Sequence, residues 1–466
     1  MKMSSNMNTK KTPLIQRRDT LKLMGLGSAS LMIGTHTRLE AKTKLSVPAS
    51  HKHAKIVIAG GGTAGMIAAA RLRRSTPNAE ITLIAPNTTH LYQSGQIYVA
   101  AGLYTEYDNK RQTADLLPEN VTWLKEKVIH FDPDNDQLTT DKSGKITYDY
   151  LIVALGCEYD FSQIAGLKAS DIGKHGITSV YLNDLEKGES KGAIVTKMWF
   201  NEIKREAVSS ELKVLFTEPD TAIKGENTSL DMLFLCNDML KGNGVKKGAD
   251  LHTKVHFTFC KSDNSLFRIP LTDKILKKEI NKSKNMEIQY GHILKEVDVE
   301  QKKATFRTKN GMVEESYDFL HITPPMQAPK VLQNSPLAFQ EGAFKGWMQV
   351  EEQTLQHPKY QNIFGMGDVL GLNTGKSGGA AREQGIVLQD NIAAHLENKK
   401  LPMQYTGYSV APIKTAYGKI LLAEYNKHGL APTLPFGLEK PKWIWWAIDV
   451  HLMRKAYFEL IMRGMM

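Results

Sequence analysis

Cysteine is scarce in this 466-residue chain: Cys157, Cys236 and Cys260 are the only three. So small and odd a number permits at most one internal disulfide and leaves one thiol over. No two cysteines stand at metal-ligand spacing, so no metal site is expected. Long apolar runs are lacking too. The stretch 23–34 is short and broken by glycines, whereas a spanning helix needs about 20 apolar residues. The net charge is +11, yet no arginine-rich stripe or binding module accompanies it, which speaks against nucleic acid as a partner. Five of those charges belong to the first 41 residues, where Lys2, Lys10, Lys11, Arg17, Arg18, Lys22 and Arg38 face only Asp19 and Glu40.

That leading segment has its own pattern. Gln16-Arg17-Arg18-Asp19-Thr20-Leu21-Lys22 precedes the weak apolar run and reads as a twin-arginine export signal over residues 1–41, with periplasmic destination. The alternative is a disordered basic tail. Export in folded form suits a protein that must first enclose a cofactor.

Past a polar linker at 42–52, β-branched runs mark buried parallel strands at 54–59 and 81–84. Between them lies Gly60-x-Gly62-x-x-Gly65, with helical composition at 66–74. Strand, glycine turn, helix and strand form the opening of a dinucleotide-binding fold. The first glycine allows the tight turn and the second lets backbone approach a pyrophosphate. The third lets helix and strand pack, with Thr63, Ala64 and Gly65 at the anion-facing helix terminus. A second element, Tyr150 through Gly156, is an apolar strand returning beside the first loop. A third is Gly365-Met366-Gly367-Asp368, in which Asp368 can bond a ribityl hydroxyl while a helix beginning near Lys376 faces the flavin ring. Three such elements in this order point to FAD. Each taken alone could be a structural glycine turn.

Two absences qualify that reading. The second strand ends in Ala85 where an acid usually binds the adenosine ribose, so Asn87 is the candidate substitute. After the strand at 213–217 the chain reads Glu218-Pro219-Asp220 and shows no second glycine fingerprint, which disfavours a nicotinamide donor. Further strands are expected at 150–154, 254–259, 317–322 and 362–365, and 190–210 looks helical. The fold class is α/β, with two Rossmann-like dinucleotide-binding-type domains and a C-terminal membrane-docking region. The FAD domain takes 53–165 and 325–400, the second domain 166–324 and the C-terminal region 401–466. At 443–466 aromatic and apolar residues include a stripe of Trp446, Val450, Met453, Tyr457 and Ile461, broken by charges. An in-plane membrane helix walling a quinone passage fits this pattern, set apart from the glycine motifs. The alternative is a helix buried on its own domain.

With these residues placed, the chain from 53 to 466 resembles the sulfide:quinone oxidoreductases, especially the branch with the mitochondrial enzymes. The resemblance rests on His90-Leu91-Tyr92-Gln93, Tyr150 to Gly156, His321-Ile322-Thr323-Pro324-Pro325-Met326, Thr354-Leu355-Gln356-His357, Phe364 to Asp368, Lys376 and Ile461-Met462-Arg463-Gly464. It implies FAD, peripheral membrane association and two-electron transfer from sulfide or a related sulfur species to quinone. No cysteine lies near Tyr92 to Gly95, where covalent attachment would need one, so the FAD is expected to be non-covalent. In that branch one redox cysteine falls at the position of Gly225 and its partner at Val369. Both are absent. Cys236 is then the weak candidate for a relocated thiol, Cys260 ends a strand, and Cys157 is expected to lie away from the flavin ring. Lys376 is the candidate charge to stabilise reduced flavin, with Lys224 second, while His321 reads as a core residue. Two alternatives stand beside sulfide oxidation: a flavin:quinone oxidoreductase with another donor, and a non-catalytic flavoprotein-fold binding subunit. A homo-oligomer is left open.

Overall fold

The computed structural model describes residues 47–184, 187–434 and 439–466, so the expected export signal lies outside the described residues. From residue 47 through Gly464 the chain belongs to one compact unit. Strand β1 (Lys55–Ala59) is the β-branched run, buried after its first residue. It is followed by helix α1 (Thr63–Ser75), β2 (Glu80–Ile84), β3 (Val121–Leu124) and β4 (Tyr150–Val153). A second set comprises β5 (Ile177–Thr178), α2 (Lys191–Glu206), β6 (Leu212–Glu218), α3 (Thr228–Asp238) and β7 (Val255–Lys261). It continues through α4 (Pro270–Ile280), β8 (Met286–Tyr290) and β9 (Phe319–His321). The chain then returns through β10 (Ile363–Gly365) and α5 (Gly378–Leu396) to the antiparallel pair β11 (Ser409–Ala416) and β12 (Lys419–Asn426).

Two five-stranded parallel sheets result, in the orders β10-β4-β1-β2-β3 and β5-β9-β6-β7-β8. The expected strands are all present, with ends shifted by a residue or two. The α/β class with Rossmann-like sheets therefore holds. Sequence reading missed β3, whose Val-Thr-Trp-Leu is only half-buried and lacks the continuous apolar signal of the others.

Register decides where function can lie. Ala59 of β1 and Gly365 of β10 both align with Val153 of β4. The three strands thus end in line, and the loops after them leave the sheet from the same edge, at the carboxyl ends where ligands bind in such sheets.

The C-terminal segment differs from its expected placement. Residues 443–461 are helical, and Trp445, Trp446, Val450, Tyr457, Phe458 and Ile461 are buried. The apolar stripe read as membrane-facing is thus largely turned onto the body of the protein. The outward face carries Trp443, His451, Leu452, Lys455, Glu459 and Arg463. No helix among the described residues is long and apolar enough to cross a membrane.

A buried ionic cluster fastens this helix. The Lys414 ammonium of β11 lies 3.6 Å from Asp231 Oδ2 of α3 and 3.5 Å from Asp449 Oδ2. Asp231 also accepts the Lys414 backbone N–H at 2.8 Å and the Asn227 amide at 2.7 Å, while the Tyr98 hydroxyl donates to Asp449. One cation serves two carboxylates. Burial pushes the Asp231 carboxyl up to about 7, against the pull of Lys414 and Asn227 and with a further push from Asp449.

A raised folded-state value means that the folded protein holds a proton the unfolded chain has released. The stabilising contribution is present in acid, and is lost as pH rises from the ordinary carboxyl range towards about 7. The melting-temperature difference between wild type and Asp231→Asn should therefore shrink between pH 5 and pH 7 and flatten above. A difference that grows with pH would mean that Lys414 outweighs burial.

Candidate functional site

The loop after β1 is shaped by approaches that exclude a side chain. Gly60 has φ +115°, and a Cβ there would lie 2.4 Å from the Ala154 carbonyl oxygen at the end of β4. At Gly65 a Cβ would stand 1.7 Å from the Gly60 carbonyl oxygen. Strand end and helix start are pressed together. Gly62 is exposed and has open space where a Cβ would point. It is the N-cap of α1 and supplies no side-chain cap, and no acid occupies the first turn. The leading N–H groups, from Thr63, Ala64 and Gly65, suit an anion.

The other elements meet this loop. A Cβ on Gly367 would come within 2.6 Å of the Ala64 methyl, so the turn after β10 abuts the start of α1. Gly156 follows β4 with φ +74° and open space beside it. Asn87 Oδ1 would be 3.3 Å from a Cβ on Gly61, which sets the amide beside the loop. Ala85 is buried with its methyl against Gly61, so the usual acidic position is packed tight. Gly60, Gly62, Thr63, Ala64, Gly65, Asn87, Gly156, Gly367 and Asp368 thus border one region.

Alongside Asp368 is a small cleft lined by Gly367, Asp368, Lys376, Ser377, Ala380 and Gln384. Helix α5 starts beside it, its first turn capped by Ser377 Oγ, which accepts the Ala380 N–H at 3.1 Å. Lys376 is buried. Its ammonium donates to the Asp368 and Leu370 carbonyls, each at 2.7 Å, and sits 4.0 Å from the Trp347 ring centre. Burial lowers its pKa, against the opposing pull of Asp368 and Cys157. With two protons committed to carbonyls, Lys376 pins the 368–370 turn. An uncapped helix terminus, glycine-only approaches and a cleft bearing a carboxylate and an ammonium are the features a flavin dinucleotide requires.

Cys236 and Cys260 stand on the helix and the strand expected of them. Gly225 has φ +65°, and a Cβ there would meet Thr228 Oγ1 at 2.6 Å, so a side chain at this position is strained. Its N–H donates to the Lys376 carbonyl at 3.1 Å, which brings the segment to the cleft. Val369 is fully buried. Cys236 lies inside α3, where burial alone raises its thiol, and Cys260 is buried in β7. The thiol that feels the site's charges is Cys157. Burial pushes it up to about 11, while Lys224 and Lys376 pull down and Asp368 pushes up. Its Sγ is 4.0 Å from Met326 Sδ, which accepts the Lys224 backbone N–H at 3.3 Å. Lys224 itself reaches Gln93 and lies 4.7 Å from the Tyr159 ring centre. Burial works against its charge, but Tyr159, Cys157 and Asp368 together hold it above the ordinary ammonium range.

Other polar residues resolve into structure. His321 is fully buried against Phe216, and burial holds it neutral with a pKa of about 3. The acids at the end of β6 do not present free charge to a second dinucleotide: Glu218, the last residue of the strand, pairs with buried Lys261, and Asp220 pairs with Arg307 at 2.7 Å. What closes that strand end is an ion pair rather than bare repulsion.

The most informative contact escaped sequence reading. The Tyr457 hydroxyl is 2.7 Å from Thr63 Oγ1 and 2.6 Å from His90 Nε2. The tail therefore touches the glycine loop from which it was expected to be separate. Only the family-like runs at His90 and Ile461 hinted at it, and neither specified a partner.

Comparison with known proteins agrees with this geometry. The family model "Pyridine nucleotide-disulphide oxidoreductase" matches residues 54–195. A mitochondrial sulfide:quinone oxidoreductase of Dictyostelium discoideum is 32% identical over 88% of this chain and 86% of its own length. The sulfide:quinone oxidoreductase structure from Aquifex aeolicus shares the fold, with TM-score 0.69 at 22% identity over 87% of this chain and 90% of that one. A chain in the Tetrahymena thermophila mitochondrial ATP synthase structure also shares it, with TM-score 0.74 at 20% identity over 90% and 98% of the respective chains. On sequence shared over most of its length, and on a glycine-loop and Asp368 geometry suited to FAD, the chain belongs to the sulfide:quinone oxidoreductase family.

Proposed function

We propose that the protein is an FAD-dependent oxidoreductase passing electrons from sulfide or a related sulfur species to quinone. The observation that carries the reading is the convergence of the Gly60–Gly65 loop, Gly156 and Gly367-Asp368 at one sheet edge, in a chain 32% identical to a sulfide:quinone oxidoreductase. Bound FAD supplies the two-electron acceptor and donor that such a reaction needs. The chain's own residues bind and orient it. The start of α1 meets the pyrophosphate, Asp368 takes a ribityl hydroxyl, and Asn87 stands where the adenosine ribose is expected. Lys376 and Lys224 place positive charge where negative charge develops. Cys157, Cys236 and Cys260 are structural thiols in this reading: a thiol pushed to about 11 is almost wholly protonated at neutral pH and a weak nucleophile.

The domain division rests on the two sheets, with 53–165 and 325–400 around the first, 166–324 around the second and 401–466 as the C-terminal region. Peripheral membrane contact is part of the proposal, supported by exposed Trp443 and Leu452 beside Lys455. So is folded export to the periplasm, supported by Arg17-Arg18 before the short apolar run. A second reading, a flavoprotein fold kept as a binding subunit, is favoured by Gly225 and Val369 at the redox-cysteine positions. Rapid-mixing measurement of flavin bleaching by sulfide separates sulfide oxidation from a flavin:quinone oxidoreductase with another donor, and flavin content of the purified protein separates both from the binding subunit. No bleaching would sink the sulfide reading, and protein that holds no flavin would favour the binding subunit.

FAD should bind non-covalently, so acid precipitation should leave the yellow colour in the supernatant. Colour in the pellet would contradict this. Asp368→Ala should weaken flavin retention by about 1.5–3 kcal/mol, the range for a hydrogen bond to a charged group, read as equilibrium FAD affinity. Unchanged affinity would mean the ribityl site lies elsewhere.

Sulfide turnover should be slow, or should need an external sulfur acceptor. Alanine at Cys157, Cys236 and Cys260, singly and together, should leave flavin reduction by sulfide unchanged. A large loss confined to Cys157→Ala would place the sulfur chemistry on that thiol.

A further inference from the structure

The C-terminal helix is held to the dinucleotide loop by a polar contact inside an apolar one. Tyr457 is buried, its ring 4.6 Å from that of Tyr92 and 5.1 Å from that of Phe458. Packing of this kind would hold the helix without a hydroxyl. Yet the hydroxyl reaches both Thr63 Oγ1 and His90 Nε2. A phenol has one proton, so it donates to one partner and accepts from the other, and each group orients the next. His90 is neutral, because burial pushes it down to about 4. Both partners border the dinucleotide site: Thr63 is the first helical residue after Gly62, and buried His90 shares the Tyr457 hydroxyl with it. Farther along α1, Arg74 donates to the carbonyls of Arg463 and Gly464. The tail therefore accompanies α1 from its anion-facing start to its last turn.

We propose that Tyr457 is a positioning residue that couples FAD seating to docking of the C-terminal helix, through its hydrogen bonds to Thr63 and His90. The inference rests on the FAD reading above and adds a consequence to it. Thr63 bears on whatever anion the start of α1 receives, so a tail that orients Thr63 tightens that anion's site. Linkage is reciprocal: if the docked tail strengthens FAD binding, bound FAD must strengthen tail docking by the same factor. Formation of the quinone-side region would then accompany loading of the flavin.

The test is Tyr457→Phe in the full chain, which keeps the ring and removes the hydroxyl. FAD affinity of the flavin-depleted protein, followed by flavin fluorescence, should weaken about tenfold, the scale of one or two neutral hydrogen bonds. Hydrogen exchange supplies the readout that a purely structural role would not move. In wild type, added FAD should slow exchange at 443–464 as well as at Gly367-Asp368. In Tyr457→Phe the protection at Gly367-Asp368 should remain and that at 443–464 should be lost. Thr63→Val breaks the same contact from the loop side, and should also uncouple the tail if Tyr457→Phe folds poorly. Unchanged FAD affinity in Tyr457→Phe, or tail protection that persists in either variant, overturns the coupling and leaves FAD binding intact. A wild-type protein that takes up no FAD overturns both readings at once.

Discussion

Two approaches of backbone to backbone, Gly60 against Ala154 and Gly65 against Gly60, leave no space for a methyl group, and the arrangement of the site depends on them. They let α1 begin directly at the end of β1. From that starting point Ala64 meets Gly367, which carries Asp368 to the same edge. Thr63 is likewise set within reach of Tyr457. A side chain at Gly60 or Gly65 would push the helix start off the sheet edge, and every one of these contacts would go with it. The constraint is steric, so no change of charge or solvent can relieve it.

Around this rigid edge the electrostatics are arranged by burial rather than by surface charge. Desolvation pushes the Lys376 ammonium down against the pull of Asp368, whereas at Lys224 desolvation is outweighed and the ammonium stands above its ordinary range, with Asp368 among the charges that favour it. Two lysines that share a backbone bridge therefore differ in character because their surroundings differ. Gly225 and Val369, where the resemblance to the family would place its redox thiols, lie in the same neighbourhood. Gly225 has taken a left-handed backbone that a cysteine would occupy only with strain, and Val369 is packed into the core. Cys157 has the charges a reactive thiol would use, but the same burial that brings them close keeps its proton on.

Much of the fold could be read from the residues. Buried parallel strands are covered on both faces and show as continuous β-branched runs, which is why β1, β2, β4, β6 and β7 were legible and half-exposed β3 was not. Glycine spacing after β1 and the Gly367-Asp368 turn were legible for a related reason, since each demands a residue type that nothing else can replace. Asn87 at the loop was inferred from the absence of an acid at Ala85, and the packing of Ala85 on Gly61 supplies the steric cause.

Residue type and period decided the α/β class, the order of the flavin elements and the absence of a cysteine pair, because these are local properties of backbone and composition. The partner of the C-terminal stripe was not decided there. An amphipathic helix has the same period whether its apolar face meets lipid or protein, and only the packed structure turned Tyr457 and Phe458 inward. Nor could sequence distance place Cys157 in the field of Lys224 and Asp368, or tie Tyr457 to Thr63 across 394 residues. Those juxtapositions follow from the closing of separate elements on one sheet edge, where distance through space no longer follows distance along the chain.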